Sequence, residues 1–213
     1  MSITSSNSTF DTQRFIHYCE NMYQQNKAFD DKQTDRLARH RHLEPESAKF
    51  LASLVIAKQA FRVLEIGTST GFSTLWLAYA LNNLAQSDSQ INLQPQLISL
   101  DIDSERSQIA WQHLQAVGLS HQVDLQVIDA KTFLKQNQQT FELIFLDAER
   151  KFYSHYIDYL HHALSESHIL VVDNVISHAD EVADFITTFK QDPRYLCSTL
   201  PIGAGLFMAV RQS

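Results

Sequence analysis

Val63–Leu75 reads VLEIGTSTGFSTL, and its reading decides the fold. An apolar run, Arg62–Ile66, meets Gly67, and a second glycine, Gly71, precedes a stretch with helical spacing. Strand, glycine turn and helix in that order begin a crossover unit of a parallel sheet. Glycine at such a turn admits left-handed backbone angles and lets a ligand lie close to the main chain. In open parallel sheets, ligands bind outside the carboxyl ends of the strands, where strand order switches direction. The dinucleotide pattern G-x-G-x-x-G is not met, so the turn alone fits a bound ligand and a bare tight turn equally.

Outward from this turn the rhythm repeats. Apolar runs lie at Arg62–Ile66, Leu97–Leu100, Val123–Ile128, Phe141–Leu146 and Ile169–Val172. Helix-like periodicity fills Phe72–Leu84, Glu105–Val117, Ala130–Gln136, Tyr153–Leu164 and Ala179–Lys190. Strands alternating with helices predict an α/β fold whose mostly parallel sheet carries helices on both faces. Leu196–Leu200 and Leu206–Val210 follow without a helix between them, and Pro201–Gly205 is turn chemistry, so they form a closing hairpin. The expectation is seven strands with one antiparallel member. Upstream, Phe10–Tyr23 and Phe50–Ala57 have helical spacing, and Pro45 suits a first helical turn. The charged Lys27–His42 reads as a solvated helix or a mobile flap, and the Gln/Ser/Asn-rich Asn82–Gln96 as an exposed loop. Residues 1–42 are thus an N-terminal helical or flap segment, and 43–213 the main domain.

Composition narrows the function classes. The 213 residues are 44% hydrophobic and 19% charged, an ordinary globular balance. Two cysteines, Cys19 and Cys197, exclude a disulfide framework and suit a reducing compartment. A net charge of −7 without any basic cluster argues against nucleic acid as a partner. The polar start MSITSSNSTF lacks the regions of a signal peptide, and no apolar run is long enough to span a membrane. A cytoplasmic protein acting on a small molecule, away from membranes, is the expectation.

Oxygen-bearing side chains cluster where these strands run out. Asp101 ends LISLDID and is placed to accept both hydroxyls of a ribose, while Asp103 caps the helix that begins near Ser104. Asp147 follows one strand and Asp173-Asn174 another. Parallel and adjacent strands would bring these three side chains together. Two carboxylates and an amide carbonyl form a hard, oxygen-only set that suits magnesium and not structural zinc.

VLEIGTSTGFSTLWLA, SLDID, FLDAER…Y, VVDNV and PIGAGL together resemble the cation-dependent O-methyltransferases that use S-adenosylmethionine, relatives of catechol and caffeoyl-CoA O-methyltransferases. The resemblance runs from about Leu43 to Val210 and implies a Rossmann-like methyltransferase domain. Carried over by motif, Glu65, Gly67, Ser69 and Ser73 line the methionine and amino end of the cofactor. Asp101 holds the ribose, Ile102 packs on adenine, Asp129 and Ala130 border it, and Leu43 belongs to the entrance segment. Asp147, Asp173 and Asn174 take the metal positions, for Mg2+ or another divalent cation such as Ca2+ or Mn2+. The resemblance implies a catechol-like acceptor with neighbouring hydroxyls, and a homodimer.

Departures from the family pattern are local. A lysine usual three residues after the first metal aspartate is Arg150 here, which cannot act as a general base but can stabilise a phenolate beside Asp147. Lys151 replaces it only if the turn shifts by one residue. Ile128 stands where glycine is common, and Ala204 where an aspartate is. His40 and His42 flank the entrance, whereas His155, His161, His162, His168 and His178 read as surface or capping residues. Trp76, Trp111 and Phe72 read as core. Two other readings stand beside the methyltransferase: a nicotinamide dehydrogenase on a similar sheet, and a cofactor-binding regulatory or low-activity homologue, which Arg150 keeps open.

Overall fold

In the computed structural model, residues 10–34, 42–87 and 96–212 are described. The chain begins with α1 (Thr12–Asp30) and α2 (Pro45–Lys58), then alternates through β1 (Arg62–Ile66), α3 (Phe72–Ser87), β2 (Gln96–Asp101), α4 (Ser104–Ala116) and β3 (Val123–Val127). It continues with α5 (Ala130–Gln136), β4 (Phe141–Leu146), α6 (Ile157–Ala163), β5 (Leu164–Val172), α7 (Ala179–Gln191), β6 (Tyr195–Leu200) and β7 (Leu206–Arg211). Among the described residues the sheet has seven strands in the order β3-β2-β1-β4-β5-β7-β6. The first five strands pair in parallel, and β7 lies antiparallel to both β5 and β6. The expected single antiparallel member and closing hairpin are therefore present, with Leu200 opposite Leu206. Order reverses between β1 and β4, which puts the crevice above their carboxyl ends.

Burial on both faces explains the near-continuous apolar strands. Leu143 and Phe145 of β4 pack with α1, α2 and α3, while Ile144 and Leu146 pack with α5, α6 and α7. Each helix turns one apolar stripe to the sheet. In α7 that stripe is Val182, Phe185, Ile186 and Phe189. In α1 it is Phe15, Cys19 and Met22, with Phe15 stacked on Tyr79 of α3 at 4.6 Å between centroids. Asp103 and Asp129 cap α4 and α5 through their side chains.

Several expectations shift. Asn82–Gln96 is not one exposed loop, since α3 continues to Ser87. Leu84 reaches the core, and Asn82 is buried with its side-chain oxygen accepting from Gln122 Nε2 at 3.3 Å. Lys27–Asp30 belongs to α1, whereas 35–41 and 88–95 fall outside the described residues. The stretch Tyr153–Leu164 divides into a 3-10 helix, Arg150–Tyr156, and α6. Strand β5 begins at Leu164, and its register against β4 shifts between Phe141 and Leu143.

His168 is the residue whose surface reading fails. It is 2% exposed within β5, its Nδ1 meets the Ser165 carbonyl, and its Nε2 has no hydrogen-bond partner. Burial lowers its pKa from 6.5; the hydrogen bond with the Ser165 carbonyl opposes the shift, and the charges of Arg211, His161 and Lys58 add to it. The folded chain thus resists a proton that the unfolded chain accepts, so stability falls as pH drops below about 6.5. His168→Gln should lose less stability than the wild type between pH 7.5 and 5.5, measured by urea denaturation at both pH values.

Candidate functional site

A cavity of about 560 Å3 opens over the carboxyl ends of the central strands. Leu43, Gly67, Ser69, Ser73, Asp101, Ile102, Asp129, Ala130, Asp147, Arg150, Asp173 and Asn174 all line it. The structure therefore brings together every residue assigned from the sequence to the cofactor, the cation or the role of Arg150, except Glu65.

The floor is set by how tightly β1 and β4 meet. Gly67 has φ +114°, and a Cβ there would lie 2.0 Å from the Asp147 carbonyl oxygen. The Asp147 amide donates to the Ile66 carbonyl at 2.9 Å, and the Gly67 amide to Leu100 at 2.9 Å. These bonds lock Asp147 against the glycine turn. At the β2 end, Asp101 accepts from the Ser69 amide at 2.7 Å and the Asp103 amide at 2.9 Å. Both carboxylate oxygens are thus held from behind, with lone pairs remaining for a ligand's hydroxyls. Ile102 beside it is 74% exposed, an apolar side chain facing no protein neighbour large enough to cover it.

Glu65 lies one layer beneath. It is fully buried and does not line the cavity, because Ser73 and the glycine turn stand in front of it. Thr74 and Ser99 hydroxyls donate to its Oε2, each at 2.5 Å, while Oε1 has no hydrogen-bond partner. Burial pushes its pKa up to about 7, the hydroxyls of Ser73, Ser99 and Thr74 pull it back, and the charge of Asp147 adds to the rise. A buried carboxylate oxygen without a donor fits a cationic ligand group such as an amino acid's ammonium.

Asp147, Asp173 and Asn174 converge as expected. Asn174 Nδ2 donates to Asp147 Oδ1 at 3.0 Å and to Asp173 Oδ2 at 2.9 Å, so the amide occupies the space between two acids. Asp173 is 4% exposed and its Oδ1 has no hydrogen-bond partner. Burial, then the charge of Asp147, holds its pKa well above the usual carboxylate range. Such a pair is stable as two anions only with positive charge between them, and the oxygen donors fit a hard divalent cation. Among the described residues no three His, Cys, Asp or Glu gather, so the third donor would be the amide. Asn174 itself sits at φ +66°, and the 175–177 backbone amides donate to Ala204 and Gly205 carbonyls, which tie the loop to the β6–β7 turn.

Arg150 is 8% exposed and its Nε donates to Glu181 Oε2 at 2.8 Å. Lys151 does not line the cavity; its ammonium lies over the Phe152 ring at 4.9 Å, so it does not replace Arg150. His178 and Phe72, read from the sequence as capping and core residues, do line the cavity, as do Tyr156 and Phe152. His42 stacks on Phe72 and shares a hydrogen bond with Thr70, whereas His40 falls outside the described residues. Helical spacing signalled burial for Phe72 and could not signal a cavity on its other side.

A family profile described as O-methyltransferase matches residues 20–212. The chain belongs to that family. A dehydrogenase is thereby ruled out as the family of this sheet. The chain is 30% identical over 138 residues to a catechol O-methyltransferase of Niastella koreensis, covering 63% of this chain and 58% of that one. Against a catechol O-methyltransferase of Mycobacterium tuberculosis it is 33% identical over 132 residues, covering 62% and 56%. The matched stretch is less than two thirds of either relative. Among solved structures, the O-methyltransferase of Bacillus cereus in complex with SAH superposes with TM-score 0.73 at 21% identity, covering 97% and 94%. TomG of Streptomyces achromogenes, in complex with SAM, gives 0.74 at 21%, covering 92% and 90%. The Rossmann-like fold is common to this chain and both solved structures.

Since Glu65 holds its proton up to about pH 7 in the folded chain and only to about 4.5 when unfolded, it costs stability as pH rises through that window. Glu65→Gln should stabilise the ligand-free chain by on the order of 2 kcal/mol at pH 8 and far less at pH 5. Thermal denaturation at the two pH values checks this.

Proposed function

We propose that this family member is an S-adenosylmethionine-dependent, divalent-metal-assisted O-methyltransferase acting on a small acceptor with vicinal hydroxyls. The observation that carries the reading is the Asp147, Asp173 and Asn174 cluster beside the glycine turn, with one buried Asp173 oxygen lacking a donor. The catechol O-methyltransferases among the relatives support the acceptor class.

When bound, the cofactor supplies an electrophilic methyl group and the cation supplies Lewis-acid stabilisation of the acceptor's oxyanion. The chain's own residues do the rest. Asp101 and Ile102 hold the nucleoside end, with Asp129 and Ala130 as the facing wall, and Glu65 offers its unpartnered oxygen below Ser73. Asp147, Asp173 and Asn174 would hold the cation at the β4 and β5 ends. Holding nucleophile and methyl in line at contact distance is the main catalytic contribution. Arg150 remains charged throughout, so it stabilises negative charge on the acceptor and does not take its proton. Phe152 and Tyr156 add aromatic surface to the cavity wall.

The test is transfer of labelled methyl from S-adenosylmethionine to a panel of catechols with Mg2+ and with EDTA. Transfer in Mg2+ and none in EDTA is the expected result; equal transfer in both would sink the metal assignment. Cofactor binding without transfer to any catechol would favour the regulatory homologue. Arg150→Ala should lower kcat by about a hundredfold, the size seen when one oxyanion donor is removed, with cofactor affinity unchanged.

A further inference from the structure

Glu44 stands at the start of α2, is exposed, and lines the cavity, which places it at the rim. It occupies the N-cap position, where a short side chain ordinarily accepts a bond from the first helical amides, but its own side chain makes no such bond. Two other contacts place the carboxylate. The Tyr23 hydroxyl of α1 donates to its Oε2 at 2.5 Å. Against its stem lies Gly203, in the β6–β7 turn at φ +57°, where a Cβ would come within 3.0 Å of Glu44 Cβ and Cγ. A bare residue at 203 therefore leaves the room that Glu44 fills. The next residue of that turn, Ala204, also lines the cavity, and its carbonyl accepts from the Ile176 and Ser177 amides at 3.2 and 3.0 Å. Glu44 thus belongs to the side of the cavity that carries the Asp173-Asn174 loop. Tyr23 keeps its proton, because burial and then its bond to Glu44 push its pKa up to about 12. No basic side chain pairs with Glu44 among the described residues, so the Tyr23–Glu44 unit presents one negative charge.

We propose that Glu44 is a specificity-determining residue: among acceptors with vicinal hydroxyls, its carboxylate selects those that carry a cationic group elsewhere on the ring over those that carry an anionic one. The inference rests on the acceptor class given under the proposed function. An acceptor whose hydroxyls lie at the Asp147, Asp173 and Asn174 cluster leaves the rest of its ring to the neighbouring wall, and Glu44 is part of that wall. A fixed charge at a rim discriminates between ligands, by attracting one and repelling the other, more than it adds affinity for both. The Tyr23 bond also ties α1 to α2, and a purely architectural role for Glu44 would affect all acceptors alike.

The experiment is isothermal titration calorimetry of the full chain with S-adenosylhomocysteine and Mg2+ present, so that no methyl moves. The probes are three catechols that differ in one substituent: 3,4-dihydroxybenzylamine, 3,4-dihydroxybenzyl alcohol and 3,4-dihydroxyphenylacetate. The wild type should bind the amine more tightly than the acid. Glu44→Gln should cut the ratio of those two affinities on the order of tenfold, as loss of one unit charge several ångströms away would, and shift the alcohol less than either. Glu46→Gln removes a nearby acid that pairs with Lys49 and does not line the cavity, and should keep the wild-type ratio. A wild type that favours the acid, a ratio unchanged or raised in Glu44→Gln, or a uniform loss across the three probes overturns the inference. So does an equal fall in Glu46→Gln, which would assign the effect to the overall charge of the helix start. A wild type that binds none of the probes overturns the acceptor class as well, whereas binding of all three with an unaffected ratio in Glu44→Gln overturns the inference alone.

Discussion

The contact between Gly67 and the Asp147 carbonyl is the constraint on which the site depends. Two parallel strands end side by side, and the chain leaves one as a glycine turn and the other as a ligand loop. Any Cβ at Gly67 would occupy the Asp147 backbone. Because the turn is bare, the backbone hydrogen bonds from Asp147 to Ile66 and from Gly67 to Leu100 can close. They set the heights of the Asp101 side and the Asp147–Asp173 side of the cavity relative to each other. In-line transfer tolerates little error in that spacing, so a steric fact about one hydrogen atom propagates into the chemistry.

Charge is the second organising theme. The crevice gathers acids from the ends of β2, β4 and β5, with Glu65 of β1 one layer beneath, and they are handled differently. Asp101 is steadied by backbone amides, Glu65 by hydroxyls on one oxygen only, and Asp173 by an amide on one oxygen only. The two acids with a bare oxygen are also those whose pKa burial raises. Both are held in the folded chain at a cost that a cationic ligand would offset, which is a common arrangement where binding has priority over stability.

Most of the fold was legible because parallel strands covered on both faces must be apolar throughout, and that pattern survives in a single sequence. β1 and β4 were readable to the residue, and the cap Asp103 sat where a side-chain oxygen precedes helical spacing. Boundaries slipped where tertiary packing overrode composition. Asn82 and Leu84 look like the start of a polar loop until Gln122 and the core claim them. His168 looked like a surface residue because nothing local announces that β5 begins early and buries it. In the site, strand-end residues were readable from topology alone. Glu65 was misplaced by one layer, since strand alternation does not tell a cavity wall from the layer behind it. Glu181 was invisible: its partner is 31 residues away, and only the folded chain shows that the first turn of α7 faces Arg150.

The tie between the 175–177 backbone and the β6–β7 turn bears on the order in which the site can come into being. The side of the cavity around Asp101 is built from β1, β2 and the turns that follow them. The loop of Asp173 and Asn174 instead leans on carbonyls of Ala204 and Gly205. A chain emerging from synthesis would have the pieces around Asp101 well before it had a supported Asp173-Asn174 loop. The β6–β7 hairpin, remote from the site in sequence, is therefore a late component of assembly, and its arrival is a condition for the cluster of Asp147, Asp173 and Asn174 to hold its shape.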